Sequence, residues 1–169
     1  MNKQTILPVL AIVLFPLAAL PAGTITTEFE NVEDYTDLSV SGMSEEKSLP
    51  LFKAEMDEEL EASAEKYLQD GQTLALTFTD VDMAGDIQPW RNRYNADIRY
   101  VEAIYPPRLK FRYTLTDADG KVLEEGAESI SDLAFQMNVT ASIRQNFRNF
   151  HYETDLMKDW IRKMFRKKD

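Results

Sequence analysis

The sequence predicts an α+β fold: a two-layer sandwich in which an antiparallel sheet of four to five strands carries two amphipathic helices on one face. Three patterns point there. Two long segments repeat their apolar residues at helical spacing, several shorter segments alternate apolar and polar residues, and Asp119-Gly120 sits between two alternating runs as a hairpin signal. Strands that follow one another through hairpins pair antiparallel, and amphipathic helices bury their apolar stripe against such a sheet.

The elements follow in order. TITTEFE, from residue 24, is β-branched and alternating, which predicts a first strand. Ser48-Leu49-Pro50 reads as a helix start, with Ser48 as N-cap and Pro50 in the first turn. Phe52, Met56, Leu60, Ala64 and Tyr67 then recur on one face, Lys53, Asp57, Glu58, Glu61 and Glu65 on the other, until Asp70-Gly71 stops the helix. Leu74, Leu76 and Phe78 alternate with Ala75, Thr77 and Thr79 in a half-buried strand. A loop holding Gly85, Pro89 and Trp90 leads to a short strand over residues 98–103 and then to Pro106-Pro107. Leu109, Phe111, Tyr113 and Leu115 form one face of the next strand, and the hairpin follows it. Residues 131–149 carry no pattern that selects a state, and residues 154–167 close the chain as a helix with Leu156, Trp160 and Met164 in a stripe widened by Met157, Ile161 and Phe165.

Residues 1–22 have the make-up of a removable export signal. Lys3 supplies the positive start, residues 6–20 are apolar and uncharged, and Leu20-Pro21-Ala22 is a small-residue exit, so cleavage after Ala22 is expected. The apolar run falls short of the roughly 20 residues of a membrane-spanning helix, and Pro16 interrupts it; an uncleaved anchor is the alternative. Residues 23–169 then make one domain of ordinary size, able to fold on packing alone without any of the cysteines the chain lacks. Loss of Lys3 takes the formal charge from −10 to −11, which repels a nucleic-acid backbone and argues against that partner. The absence of cysteine also removes thiolate metal sites and thiol nucleophiles. The basic end, from Arg162 to Lys168, fits cations placed at a helix C-terminus.

The strings TFTDVDMAG, PW at 89–90, YPPRLKFRYTLTDADGKVLEEG, SISDLAF, then YE and DW resemble, in this order, a bacterial family of unknown function, domain of unknown function 3016. The likeness runs over roughly residues 28–165. It implies a secreted, periplasmic protein of a Gram-negative bacterium and carries over no catalytic or binding residue.

The candidate chemistry is sparse. Asp80, Asp82 and Asp86 leave a strand together, as ligands of a hard cation do. Against a calcium-loop pattern, however, Ala84 stands where a ligand belongs and Arg91 replaces the closing acid, so a strand end with carboxylates bonded to backbone or paired with arginine fits as well. Asp117-Ala118-Asp119-Gly120-Lys121 has a similar look, and a hairpin turn explains it without a metal. His151 is the single histidine, and no serine sits in a nucleophile elbow beside it. No dinucleotide, nucleotide or zincin motif is present, and no cofactor is expected. Trp90 either plugs the end of the sheet or offers a ring to a ligand, and Arg108, at a strand start after Pro107, can meet Asp80 or Asp82 if the two strands are neighbours. The expected cluster, binding or structural, is therefore Asp80, Asp82, Asp86, Trp90 and Arg108. The expected role is a non-enzymatic binding or interaction module of the bacterial envelope, with a protein or small-molecule partner; the alternative is a hydrolase built on Asp80, Asp82 and Asp86, with or without a metal.

Overall fold

A computed structural model describes residues 21–40, 42–92, 94, 96–137 and 148–166. Residues 1–20 of the leader, most of the patternless stretch before the last helix, and the final lysines of the basic end lie outside the described residues. Within them the chain is α+β. The order is β1 (Thr24–Phe29), a 3-10 turn (Val32–Asp34), α1 (Glu45–Tyr67), β2 (Thr73–Asp82), β3 (Asp86–Ile87), β4 (Arg99–Tyr100), β5 (Arg108–Thr116), β6 (Val122–Ser131) and α2 (His151–Arg166).

The four long strands form one sheet in the order β1-β2-β5-β6. Its pairings β2–β5 and β5–β6 are antiparallel, as expected from hairpin logic, but β1 runs parallel to β2, so the sheet is mixed. The cause is α1, which occupies the connection between them: a helix that returns the chain along the sheet brings the second strand back in the direction of the first. The strand expected over residues 98–103 shrinks to Arg99–Tyr100 and leaves the main sheet, pairing with Asp86–Ile87 in a separate two-stranded ribbon.

Helix α1 begins four residues earlier than the sequence indicates. Ser44 is its N-cap, with extended backbone and its carbonyl accepting the Lys47 and Ser48 amides. Ser48 instead lies in the first turns, fully buried, where its Oγ accepts the Val40 amide at 3.0 Å. Pro50, expected in the first turn, consequently lies further inside the helix, at the loss of one backbone hydrogen bond. Helix α2 likewise starts before the expected Thr154, at His151.

Both helices bury their stripes on one face of the sheet. Phe52, Met56 and Leu60 of α1 and Met157, Ile161 and Met164 of α2 join Leu74, Leu76, Phe78, Leu109, Phe111 and Leu115 in a single core. At its centre Phe78 meets Phe29 (5.1 Å between centroids), Phe52 (6.1 Å) and Phe111 (5.8 Å), and Phe52 meets Phe150 edge-on at 5.1 Å. Trp160, half-buried, packs its ring on Phe111 and Tyr113.

Strand β2 carries a bulge between Phe78 and Asp80. The extra residue, Thr79, shifts the alternation, so Val81 and not Asp80 or Asp82 continues the buried row after Phe78. Asp80 and Asp82 thus end the strand opposite Lys110 and Arg108.

Candidate functional site

The structure spreads the five expected residues over the end of the sheet and the adjoining ribbon. Asp80 is fully engaged. Its Oδ1 accepts the Thr36 amide at 2.8 Å, and its Oδ2 accepts the Thr36 hydroxyl at 3.0 Å and Lys110 Nζ at 2.8 Å. Partial burial alone would raise its pKa, but the Lys110 and Thr36 hydrogen bonds outweigh that and hold the carboxyl below its ordinary value. Asp82 behaves oppositely: burial pushes its pKa up, the Asp37 and Asp80 charges add to the rise, and the Arg108 and Arg99 cations only moderate it. Asp82 and Arg108 face each other across β2 and β5. The cation bonded to Asp80 is Lys110, while Arg108, exposed at the strand start, acts on Asp82 through the field of its charge.

Asp86 sits in β3 opposite Tyr100, half-buried. Trp90 projects from the loop after β3 and is 72% exposed. Among the described residues, no group of three or more His, Asp or Glu side chains is placed to hold a metal ion. In the second aspartate-rich loop the Asp117 carboxylate accepts the amides of Asp119 (3.0 Å) and Lys121 (2.9 Å), with Gly120 at φ +79°, so the turn uses its acid to fix its own backbone. His151 opens α2 with its ring against Tyr152.

A second polar cluster was not legible as a unit. Asp37, Arg99, Gly85 and Glu153 come from four separate stretches and meet beside the β2–β3 turn. Arg99 grips Asp37 with both Nη atoms (2.8 Å each) and also donates to the Gly85 and Ser39 carbonyls, at 3.0 and 2.9 Å. Asp37 in turn bridges to β2 through backbone bonds with Val81 and Met83. Gly85 has φ +82°, and a Cβ there would lie 2.6 Å from the Tyr100 carbonyl, so only glycine lets the turn sit against β4. Glu153, wholly buried in the first turn of α2, accepts the Ala84 amide at 2.7 Å through Oε1, while Oε2 has no hydrogen-bond partner among the described residues. Burial pushes its pKa up to about 7 against the Ala84 hydrogen bond and the Arg99 charge. A cavity of about 370 Å³ opens next to Arg99, walled also by Ser39, Met83, Asp97 and Asn149. Glu153 is not part of its wall, so the raised carboxyl has no access to a ligand there and serves to tie α2 to the turn. The sequence signals for this cluster were Gly85, at the end of TFTDVDMAG, and the Tyr152-Glu153 pair, both within the family-like strings and with no spacing that joins them.

Besides Trp90, other apolar side chains on the segments flanking β4 and on the 132–137 turn reach solvent. Ile104 is 74% exposed, Leu133 78% and Met137 83%, with Val101 and Tyr94 also exposed. Three contacts link the segments that carry them. Arg91 bonds Glu102 at 2.9 Å and lies over the Tyr100 ring, and Gln136 Nε2 donates to the Val101 carbonyl at 3.0 Å, which fastens the 132–137 turn to the ribbon. Phe135, buried against Tyr152, anchors that turn to α2.

No described helix is long and apolar enough to cross a membrane. A family model described as Protein of unknown function (DUF3016) matches residues 23–163. No curated protein and no solved structure matches the chain.

Proposed function

The chain belongs to the DUF3016 family, and we propose on that premise that it is an interaction module of the bacterial envelope, exported to the periplasm, that docks a protein partner through the lobe around Trp90. The observation that carries the reading is the exposure of Trp90, Ile104, Leu133 and Met137 on segments that the Arg91–Glu102 and Gln136–Val101 contacts tie to one another. Solvated apolar groups gathered on one surface mark interaction sites, and aromatic and methionine side chains are the types enriched there. The hydrolase reading gains no support from the aspartates, since Asp80 is spent on Thr36 and Lys110, and Asp82 and Asp86 do not complete a ligand set with it.

The test is capture from a periplasmic extract, using the parent and a Trp90→Ser/Ile104→Ser double variant side by side. Both residues are exposed, so the variant should melt with the parent. A partner held by the parent and lost from the variant supports docking at the lobe. Identical captured sets from the two proteins refute it. Recovery of the chain from the cytoplasmic fraction, with residues 1–22 still attached, would refute the envelope assignment.

A further inference from the structure

The two edges of the sheet are unlike. Edge strand β6 carries Glu124, Glu125 and Glu128, charges of the kind that discourage another strand from pairing. Edge strand β1 begins with the uncharged run Thr24-Ile25-Thr26-Thr27. Thr24 donates its amide to the Gln72 carbonyl at 2.9 Å and Glu30 donates to Phe78 at 3.1 Å, so the even-numbered residues bond toward β2. In a parallel ladder the intervening residues face the other way, so Ile25, Thr27 and Phe29 direct their N–H and C=O groups at the open side.

Alongside that open side runs a groove of about 530 Å³ between β1 and α1. Its helical wall presents Lys53, Asp57, Glu61 and Glu65, and its strand wall Ile25 and Thr27. Lys53 reaches both Thr27 and Asp57, donating to Thr27 Oγ1 and to the Asp57 carboxylate at 2.7 Å each and to the Thr27 carbonyl at 3.3 Å. An added strand would displace the lysine from that one carbonyl and find those of Ile25 and Phe29 turned to the open side. Glu61 and Glu65, one and two turns further along α1, are exposed and give the remainder of the groove its negative charge.

We infer that the edge of β1, which no strand covers among the described residues, is a docking site for an extended, basic segment of another protein, which adds to the sheet as a further strand. Strand addition supplies main-chain hydrogen bonds, and alternate side chains of the added strand supply specificity. Here every second side chain would lie on the α1 side of the sheet. Those side chains repeat at roughly 6.6–6.8 Å, against about 6 Å between residues four apart on a helix, so Lys or Arg at alternate positions meets Glu61 and Glu65 in register. A second copy of this chain is the less fitting occupant. It would bring the same acid row and a net charge of −10 against a surface that is already negative. The site is separate from the Trp90 lobe, and either can fail without the other.

The experiment measures fluorescence anisotropy of labelled octapeptides with the purified chain at physiological salt. Three peptides are compared: Lys and Thr in alternation, the same composition in two blocks, and the alternating peptide with its backbone N-methylated at every second residue. The alternating peptide should bind at least about tenfold tighter than the block peptide, and a Glu61→Gln/Glu65→Gln variant, changed only at exposed helix positions, should lose about tenfold. N-methylation should abolish the difference from the block peptide. Equal binding of alternating and block peptides, undiminished binding of the N-methylated one, or no binding of any would overturn the inference. So would a chain dimer by sedimentation that Ile25→Pro dissolves, because a second copy would then hold the edge.

Discussion

Replacing Glu153 by glutamine should remove a pH dependence that the parent carries. The carboxyl is wholly buried, with Ala84 N–H on one oxygen, the Arg99 cation lowering its pKa and Glu55 raising it, and the net pKa moves from 4.5 to about 7. An acid whose pKa is higher folded than unfolded keeps its proton in the native state after the unfolded chain has lost it. Its contribution is therefore fully present below pH 4.5 and is lost as pH rises toward 7, with nothing further lost above that. A rise of this size corresponds to about 3 kcal/mol across the window. Glutamine cannot ionise, and its amide oxygen can still accept the Ala84 N–H. Urea unfolding of parent and E153Q at pH 4.5, 5.5, 6.5 and 7.5 isolates the group, because every other titration is common to both proteins. The parent should lose about 3 kcal/mol relative to the variant over that range, offset at every pH by a constant penalty of about 1–3 kcal/mol for the unmatched amide N–H₂. Parallel stability curves would refute the account, and would mean that Glu153 is ionised in the folded protein from low pH.

Three further outcomes follow from the same geometry. Arg99→Ala should cost about 2–4 kcal/mol, since it strands the Asp37 carboxylate and two carbonyls, whereas Arg108→Ala, at an exposed strand start, should cost under about 1 kcal/mol; denaturant midpoints of the two variants check the order, and equal costs would contradict it. Gly85→Ala should destabilise by more than about 2 kcal/mol, because φ +82° is strained for alanine and its Cβ would strike the Tyr100 carbonyl; thermal melting within a degree of the parent would show that the turn yields. Phe52→Ala should cost about 3–5 kcal/mol from the centre of the aromatic cluster, and calorimetry showing a loss below about 1 kcal/mol would place the core elsewhere.

The local periodicities were enough to place most elements. The apolar row Leu74, Leu76, Phe78, the facing row Leu109, Phe111, Leu115 and the stripe Phe52, Met56, Leu60 are all in the core, because a side chain's face is set by spacing within one element. The hairpin at Asp119-Gly120 is equally local, held by a carboxylate two and four residues from the amides it binds. The separation of the long strands from residues 98–103 was not legible, because apolar content does not say which strand a short segment will pair with.

What the sequence determined by itself was therefore the class of fold, the rows of core residues and the family. What only the tertiary structure decided was pairing between distant segments. The parallel union of β1 and β2 depends on where α1 returns the chain, and the bulge at Thr79 turns Val81 inward and leaves Asp80 to Lys110 and Thr36. Asp37, Gly85, Arg99 and Glu153 lie up to 116 positions apart, and no spacing rule connects them. Burial is what raises the Glu153 carboxyl, and burial comes into being only when α2 closes over the β2–β3 turn. The same holds for the Trp90 lobe and the β1 groove. A tryptophan in a loop and acids on a helix are common in any sequence, and they become surfaces only once neighbouring elements fix what stands beside them.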